Sequence, residues 1–369
     1  MNIALIILAA GKGTRMQSEL PKVLHEVAGA PMLVHAMRAG RALDPKRTII
    51  IAGHGFEAVS AAACAEDPEV EVVRQEAQLG TGHAVDQARA ALSDFDGTVI
   101  VLYGDCPLIQ SRTLEELSAT LSDSAVSVLG FEAKDPARYG RLITDGDKLK
   151  RIVEFKDASP AERAVSLCNS GVMAASAGLL FDLLSEIDAN NASGELYLTD
   201  VIGKAVARGL PCTAVRCAER ETLGVNSRVE LMQAEKEFQN LRRTEALEDG
   251  VTMPAPETVH FSYDTVIGRD TIIEQNVVFG PGVTVESGAQ IRAFSHLEGA
   301  HVSRGCIIGP YARLRPGAEL AEDVKIGNFV EIKASALEEG AKVNHLSYIG
   351  DAHIGARANI GAGTVTCNY

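Results

Sequence analysis

The sequence contains no tryptophan, and aromatic residues make up only 5% of its 369 positions. A chain of this length can bury a large core, so that core has to be built from aliphatic and small side chains. Long apolar runs are also missing. The longest, Ile3 to Ala10, falls far short of the ~20 residues that a membrane-spanning helix needs. No Lys or Arg precedes it and Gly-Lys-Gly follows it, which excludes a secretory signal. There is no excess of positive charge. The net charge of −14 argues against a nucleic-acid or anionic-membrane surface, while leaving room for a local phosphate site. The seven cysteines are scattered, with no Cys-x-x-Cys and no zinc spacing, as suits reduced thiols in a cytoplasm.

What is present is 46% hydrophobic and 23% charged, an ordinary globular composition for two to three domains. Glycine is plentiful and uneven: 19 of the 34 lie in residues 1–249 and 15 in the shorter stretch 250–369. The first part alternates strand and helix patterns. Strands are expected at Ile3–Ala9, Thr48–Ala52, Val70–Arg74 and Thr98–Tyr103, and helices at Pro31–Ala42, Gly55–Ala65 and His83–Leu92. This is the β-α-β rhythm of a doubly wound, Rossmann-like α/β sheet, whose ligands bind beyond the carboxyl ends of the strands. Residues 228–248 read as one amphipathic helix, with Val229, Met232, Leu241 and Leu247 among many charges. Gly250 stops it, and Pro254 and Pro256 mark a linker.

Beyond that point an aliphatic residue or Phe recurs every sixth position: Ile267, Ile273, Phe279, Val285, Ile291, Leu297. After one-residue slips the series continues at Val302, Ile308, Leu314, Leu320, Ile326, Ile332, then Leu337, Val343, Ile349, then Ile354 and Ile360. A period of six suits a β-solenoid with triangular coils, each side turning one aliphatic inward. A narrow triangular core would also account for the scarce aromatics. Five to six coils at strand spacing would make a column of roughly 27 Å. The expected organisation is a nucleotide-binding domain at 1–227, a linker helix at 228–249 and a hexapeptide-repeat column at 250–369.

The loop after the first strand reads Leu8-Ala-Ala-Gly-Lys-Gly-Thr-Arg-Met16, followed by Pro21-Lys22. Gly11 and Gly13 would let backbone amides approach phosphates. Arg15 and Lys22 supply two positive charges for a triphosphate. The third glycine of a dinucleotide fingerprint is missing, and so is a P-loop Gly-Lys-Ser/Thr. Asp105 ends an apolar strand where a carboxylate has no core role, and a hard oxygen there suits Mg²⁺ bound to phosphates.

These motifs, with Gln78-Leu-Gly-Thr-Gly-His83, Tyr103-Gly-Asp105, Tyr139-Gly-Arg141, Ile152-Val-Glu154, Asn169-Ser-Gly171, Tyr197-Leu-Thr-Asp200 and Gly224-Val-Asn226, resemble the signature of sugar-1-phosphate nucleotidyltransferases. Together with the column, they resemble the bacterial family of bifunctional N-acetylglucosamine-1-phosphate uridylyltransferases and glucosamine-1-phosphate N-acetyltransferases. The resemblance implies a left-handed parallel β-helix, a homotrimer, and UTP, N-acetylglucosamine-1-phosphate, glucosamine-1-phosphate and acetyl-CoA as partners. It implies Asn226 as a second Mg²⁺ ligand beside Asp105. It puts the nucleotide on Leu8, Ala9, Ala10 and Gly11, the uracil on Gln75, Gly80 and Thr81, and further contacts on Tyr103 and Gly104. The sugar falls to Gly140, Glu154, Asn169, Thr199 and Tyr197. The ionised sugar phosphate would attack the α-phosphorus of UTP in line, with no general base and with the protein offsetting anion repulsion.

For the second reaction an amine must lose a proton as it attacks a thioester, and His is the usual base near neutral pH. The family motif selects His345, in Asn344-His-Leu-Ser-Tyr348. The resemblance gives the sugar phosphate to Arg315 and Lys333, the sugar to Tyr348 and Asn359, and acetyl-CoA to Ala362, Asn368 and Tyr369. Family members continue for several coils beyond the position of Tyr369. The expectation is therefore a whole uridylyltransferase joined to an incomplete column with absent or weak acetyl transfer. Two rival readings stay open here: another sugar-nucleotide pyrophosphorylase with a hexapeptide column, and a non-catalytic scaffolding trimer.

Overall fold

The computed structural model describes residues 2–146 and 148–367. The chain divides into two compact units, one holding the residues up to Glu26 and Pro31–Ala234, the other Val27–Ala30 and Glu235 onward.

The first unit is built on a nine-stranded sheet. Its strands are β1 (Ile3–Ala9), β2 (Arg47–Ala52), β3 (Glu71–Arg74), β4 (Thr98–Tyr103), β5 (Val126–Glu132), β6 (Arg141–Asp145), β7 (Lys148–Val153), β8 (Leu167–Ser176) and β9 (Cys212–Cys217). They run in the order β3-β2-β1-β4-β8-β5-β9-β7-β6. β1 pairs in parallel with both β2 and β4. Its alternate residues enter different cores: Ile3, Leu5, Ile7 and Ala9 pack on one face, Ala4, Ile6 and Leu8 on the other. Burial on both faces is why the strand is wholly aliphatic.

The uniformly parallel rhythm holds only for this half; beyond it β5 and β9 still pair in parallel, but the other pairings are antiparallel. β8 inserts antiparallel between β4 and β5, and β6 and β7 form an antiparallel hairpin at the edge. The helix expected over His83–Leu92 is regular only over Thr81–Asp86, and the chain continues in turns. The chain order reverses at β1, so a crevice opens between the loops that follow β1 and β4, the usual place for a ligand.

The second unit is a column of short parallel strands in three sheets, two of six strands and one of five. All seventeen positions of the six-residue series face its interior. Fourteen of them are fully buried, and Ile267, Ile354 and Ile360 are partly so. The register carries Val285 onto Val302, Val302 onto Leu320 and Leu320 onto Leu337. At the corners the backbone turns left-handed, at glycines and also at Asp270, Asn276, Phe294, Tyr311, Asp323 and Phe329. This need for positive φ explains the glycine excess.

The column starts near residue 250, ahead of its legible period: Val251, Met253, Val259 and Phe261 are buried in its core, and Thr252 and His260 already pair with the next coil. Two sequence expectations change here. The narrow core does admit aromatics, since Phe261 and Phe279 stack inside it at 5.5 Å. The helix Arg228–Glu248 forms, but it buries Ala234, Phe238 and Gln239, while Val229, Met232 and Leu247 are exposed.

Coil stacking leaves no room for a side chain at Gly327, where an added Cβ would run into the backbone oxygen of Asn344 one coil on. Gly327→Ala should lower unfolding stability by about 2–3 kcal/mol through overpacking. Gly178→Ala, in the helix Ala177–Leu184 with nothing within 4 Å, should raise it by roughly 0.5–1 kcal/mol. Denaturant unfolding of the two variants checks both.

Candidate active sites

β1 runs out into the loop 10–16. Gly13 turns with φ +61°, and an added Cβ would lie 2.6 Å from Cβ of Lys22, so only glycine fits. The turn lets Lys22 come back beneath the strand end. Its ammonium donates to Oδ2 of Asp105 and, at 3.0 Å, to Oδ1 of Asn226. Asp105 follows β4. Asn226 is held by its own bonds: its N–H donates to Glu230 Oε2 at 2.7 Å and its Nδ2 to the Gly224 carbonyl at 3.3 Å. The Val225 N–H donates to the Asp105 carbonyl at 2.9 Å. Three segments far apart in sequence thus meet at one largely buried cation.

Two hard oxygens, one of them anionic, converge on this ammonium, and such donors suit a divalent cation. No group of three or more His, Cys, Asp or Glu that could hold a metal occurs among the described residues. Asp105 and Asn226 therefore fit an ion of the Mg²⁺ kind, which is commonly bound through one or two protein oxygens and completed by substrate phosphates.

Beside them lies a cavity of about 320 Å³ lined by Leu8, Ala9, Ala10, Gly11, Lys22, Gln75, Gln78, Gly80, Thr81, Tyr103 and Asp105. Most of the expected nucleotide residues are gathered here. Gly104 packs beneath, its N–H donating to the Leu8 carbonyl at 2.9 Å. Arg15 is not part of this lining; it is exposed on the short turn Thr14–Met16. Gln78 was given no role of its own on sequence grounds, yet it donates to the Ala10 carbonyl at 2.6 Å and fixes the loop after β1. Its place in Gln78-Leu-Gly-Thr-Gly was the available signal.

Most of the residues expected to hold the sugar are also brought together. Glu154, just after β7, accepts from Thr199 Oγ1 at 3.2 Å, and an added Cβ on Gly140 would lie 3.3 Å from its carboxylate. The Asn169 N–H donates to the Gly140 carbonyl at 2.8 Å, and Asn169 Oδ1 accepts from the Gly171 N–H at 3.0 Å. Glu154 and Tyr197 line a neighbouring cavity of about 420 Å³. Burial holds the Glu154 carboxyl above its ordinary value, against the opposing bond from Thr199. Burial, with Glu154 and Asp105 nearby, pushes the Tyr103 phenol up, so it stays neutral; it is hydrogen-bonded to Thr81.

On the column, His345 ends the strand Lys342–His345 and is exposed, its Nδ1 3.1 Å from Asn328 Oδ1 one coil back. Arg315 and Lys333 follow paired inward residues, Leu314 and Ile332, on one face. Each has a carboxylate partner, Glu331 at 2.9 Å and Asp351 at 3.3 Å. Tyr348 lies on that same face, opposite Glu331. Asn359 sits opposite Lys342 on the face that carries His345, and Ala362 follows it, exposed. Asn368 and Tyr369 lie outside the described residues.

An α/β domain with a phosphate-scale cavity at its switch point, followed by a hexapeptide β-helix, defines a nucleotidyltransferase-type protein with an acyltransferase-type column. Residues 5–171 match the MobA-like NTP transferase domain. The first unit's fold also matches the structure of a UDP-glucose pyrophosphorylase complexed with UDP-glucose (TM-score 0.54, 17% identity, 66% of this chain and 100% of that one). The bifunctional protein GlmU of Roseobacter denitrificans is 62% identical over the whole chain and 82% of its own length. That of Ruegeria pomeroyi is 66% identical over the same shares. The chain belongs to the GlmU family of bifunctional proteins.

Two outcomes follow from this geometry. Lys22→Ala leaves Asp105 and Asn226 without their cation and should cost roughly 2 kcal/mol. Added Mg²⁺ should then raise the melting temperature of the variant more than that of the wild type, because no ammonium has to be displaced; equal shifts would count against a shared position. Glu154→Gln tests burial. A carboxyl raised on folding contributes its stability at low pH and loses it as pH rises through the folded value. The variant should therefore melt above the wild type at pH 8, with the gap closing toward about pH 4, while its KM for sugar phosphate rises.

Proposed function

We propose that the chain transfers uridylyl from UTP to N-acetylglucosamine-1-phosphate, giving UDP-N-acetylglucosamine and pyrophosphate. The convergence of Lys22, Asp105 and Asn226 beside the switch-point cavity carries this reading, and full-length identity to GlmU proteins supports it. Mg²⁺ is the metal we assign to Asp105 and Asn226; bound there, it supplies charge that offsets the phosphates. Lys22, released from that pair, turns its ammonium to phosphate oxygens. Arg15, exposed on its turn, is free to close over the same charge. Gly11 and its neighbours approach the phosphates with backbone amides. Gln75, Gly80 and Thr81 read the base. Glu154, Asn169, Thr199, Gly140 and Tyr197 hold the sugar so that its ionised phosphate lies in line with the α-phosphorus.

For the column we propose acetyl transfer from acetyl-CoA to glucosamine-1-phosphate, with His345 as base, Arg315 and Lys333 on the phosphate, and Tyr348, Asn359 and Ala362 around the sugar and acetyl group. Asn328 Oδ1 beside His345 Nδ1 supports the base assignment, since an acceptor there favours the Nδ1–H tautomer and leaves Nε2 to take a proton. A homotrimer fits an exposed apolar ridge, in which Phe294, Tyr311 and Phe329 stack at 4.9 and 5.3 Å and Leu346 is exposed one coil on. All seven cysteines are free, which supports a reducing cytoplasm.

Pyrophosphate release from UTP, dependent on N-acetylglucosamine-1-phosphate and Mg²⁺, tests the first assignment. Release with glucose-1-phosphate or with dTTP instead would favour another pyrophosphorylase. Arg15→Ala should lower kcat roughly 10²–10³-fold and change uridine-nucleotide affinity far less. A wild-type kcat in that variant would remove Arg15 from the reaction.

A further inference from the structure

Gln75 is one of the few polar side chains sealed almost completely into the first unit, at 4% exposure, and it lines the nucleotide cavity. Its amide is committed on one side only. Nε2 donates to the Gly80 carbonyl at 3.3 Å and lies 3.0 Å from Nδ1 of His83. A carbonyl can only accept, so the nitrogen end has to face Gly80. The second amide hydrogen then needs an acceptor at His83 Nδ1, which requires the neutral ring with its proton on Nε2. Gln87 reaches the far side of the ring, its amide 3.3 Å from Nε2. That half-buried amide is itself oriented, since its nitrogen donates to the His83 carbonyl at 3.2 Å. Oε1 of Gln75 has no protein donor among the described residues, which leaves a lone acceptor for a ligand.

The ring is held in place by the backbone around it. Gly80 begins the helix Thr81–Asp86 with φ +116°. The Gly82 N–H donates to the Leu196 carbonyl and the Leu196 N–H to the Leu79 carbonyl, both at 2.8 Å, and the Leu198 N–H donates to Thr81 Oγ1 at 3.0 Å. His83, one turn into that short helix, cannot drift from Gln75 without breaking this clamp.

We propose that His83 is a specificity-positioning residue: its Nδ1 locks the Gln75 amide so that only a carbonyl oxygen meets the base. This rests on the reading of the cavity as a uridine-nucleotide site. Uracil presents an N3–H donor, whereas cytosine presents a bare N3 acceptor. A locked acceptor pairs with the first and opposes the second. An amide free to turn could present its NH₂ to cytosine instead, and the discrimination would fall.

The test measures kcat/KM for UTP and for CTP with N-acetylglucosamine-1-phosphate in the wild type, His83→Leu and His83→Asn. His83→Leu should lower the UTP/CTP ratio at least 10-fold, mainly through a higher KM for UTP. His83→Asn can place a carbonyl oxygen near the lost Nδ1 and should keep the ratio within about 3-fold of wild type. Loss of both nucleotides in equal measure, an unchanged ratio, or an Asn variant no better than Leu overturns the lock. Nitrogen-15 NMR of the wild type gives a second readout that needs no variant to fold. A neutral His83 ring with an unprotonated Nδ1 is expected, and a proton on Nδ1 overturns the proposal. If the wild type itself shows no preference for UTP, the nucleotide reading fails; if it prefers UTP and His83→Leu keeps that preference, only the lock fails.

Discussion

The ammonium of Lys22, held between Asp105 and Asn226, is the contact on which the first unit's geometry depends. It gathers the loop after β1, the end of β4 and the segment before the helix Arg228–Glu248 at one point. Each could pack elsewhere as far as its own apolar residues are concerned. What fixes them is that a carboxylate at the end of a buried strand must find a positive charge or remain uncompensated. Gly13 follows from the same constraint, because a side chain there would hold Lys22 away. On the metal assignment proposed above, a metal ion and a lysine are alternative answers to one electrostatic demand.

The sequence was most readable where burial is two-sided or periodic. β1 is aliphatic at every position because both its faces are covered, and its span is found to the residue. The inward positions of the column repeat because every side of every coil solves the same packing problem. Legibility failed where partners are distant. β8 pairs antiparallel between β4 and β5, and nothing in Leu167–Ser176 says which strands will flank it. The buried face of the helix Arg228–Glu248 is Ala234, Phe238 and Gln239, where Gln239 exchanges bonds with the Phe261 backbone; a polar residue satisfied in this way does not read as core.

The candidate sites show the same division. Asp105 was legible alone, as a charge at the end of an apolar strand. Asn226 and Asn169 were legible only through family resemblance, since Asn226 meets a side-chain ammonium 204 residues away and Asn169 sits at a local bulge. Lys22 was read as a phosphate ligand, and the two protein oxygens that the fold also brings to it left no sign in the sequence. Gln78 and His83 act by orienting other groups, Ala10 and Gln75, and such roles leave little trace in residue type.

The corners of the column absorb its irregularity. Sides of five residues, such as Leu297 to Val302 and Leu337 reached from Ile332, sit among sides of six, yet the strands beyond each short side return to register: Leu297 lies over Leu314, Val302 over Leu320 and Leu337 over Ile354. The architecture counts sides rather than residues. A single-residue deletion or insertion at a left-handed corner is therefore corrected within one edge of the triangle instead of accumulating along the chain. A lineage can vary the length of such a repeat and keep the faces that carry its chemistry aligned.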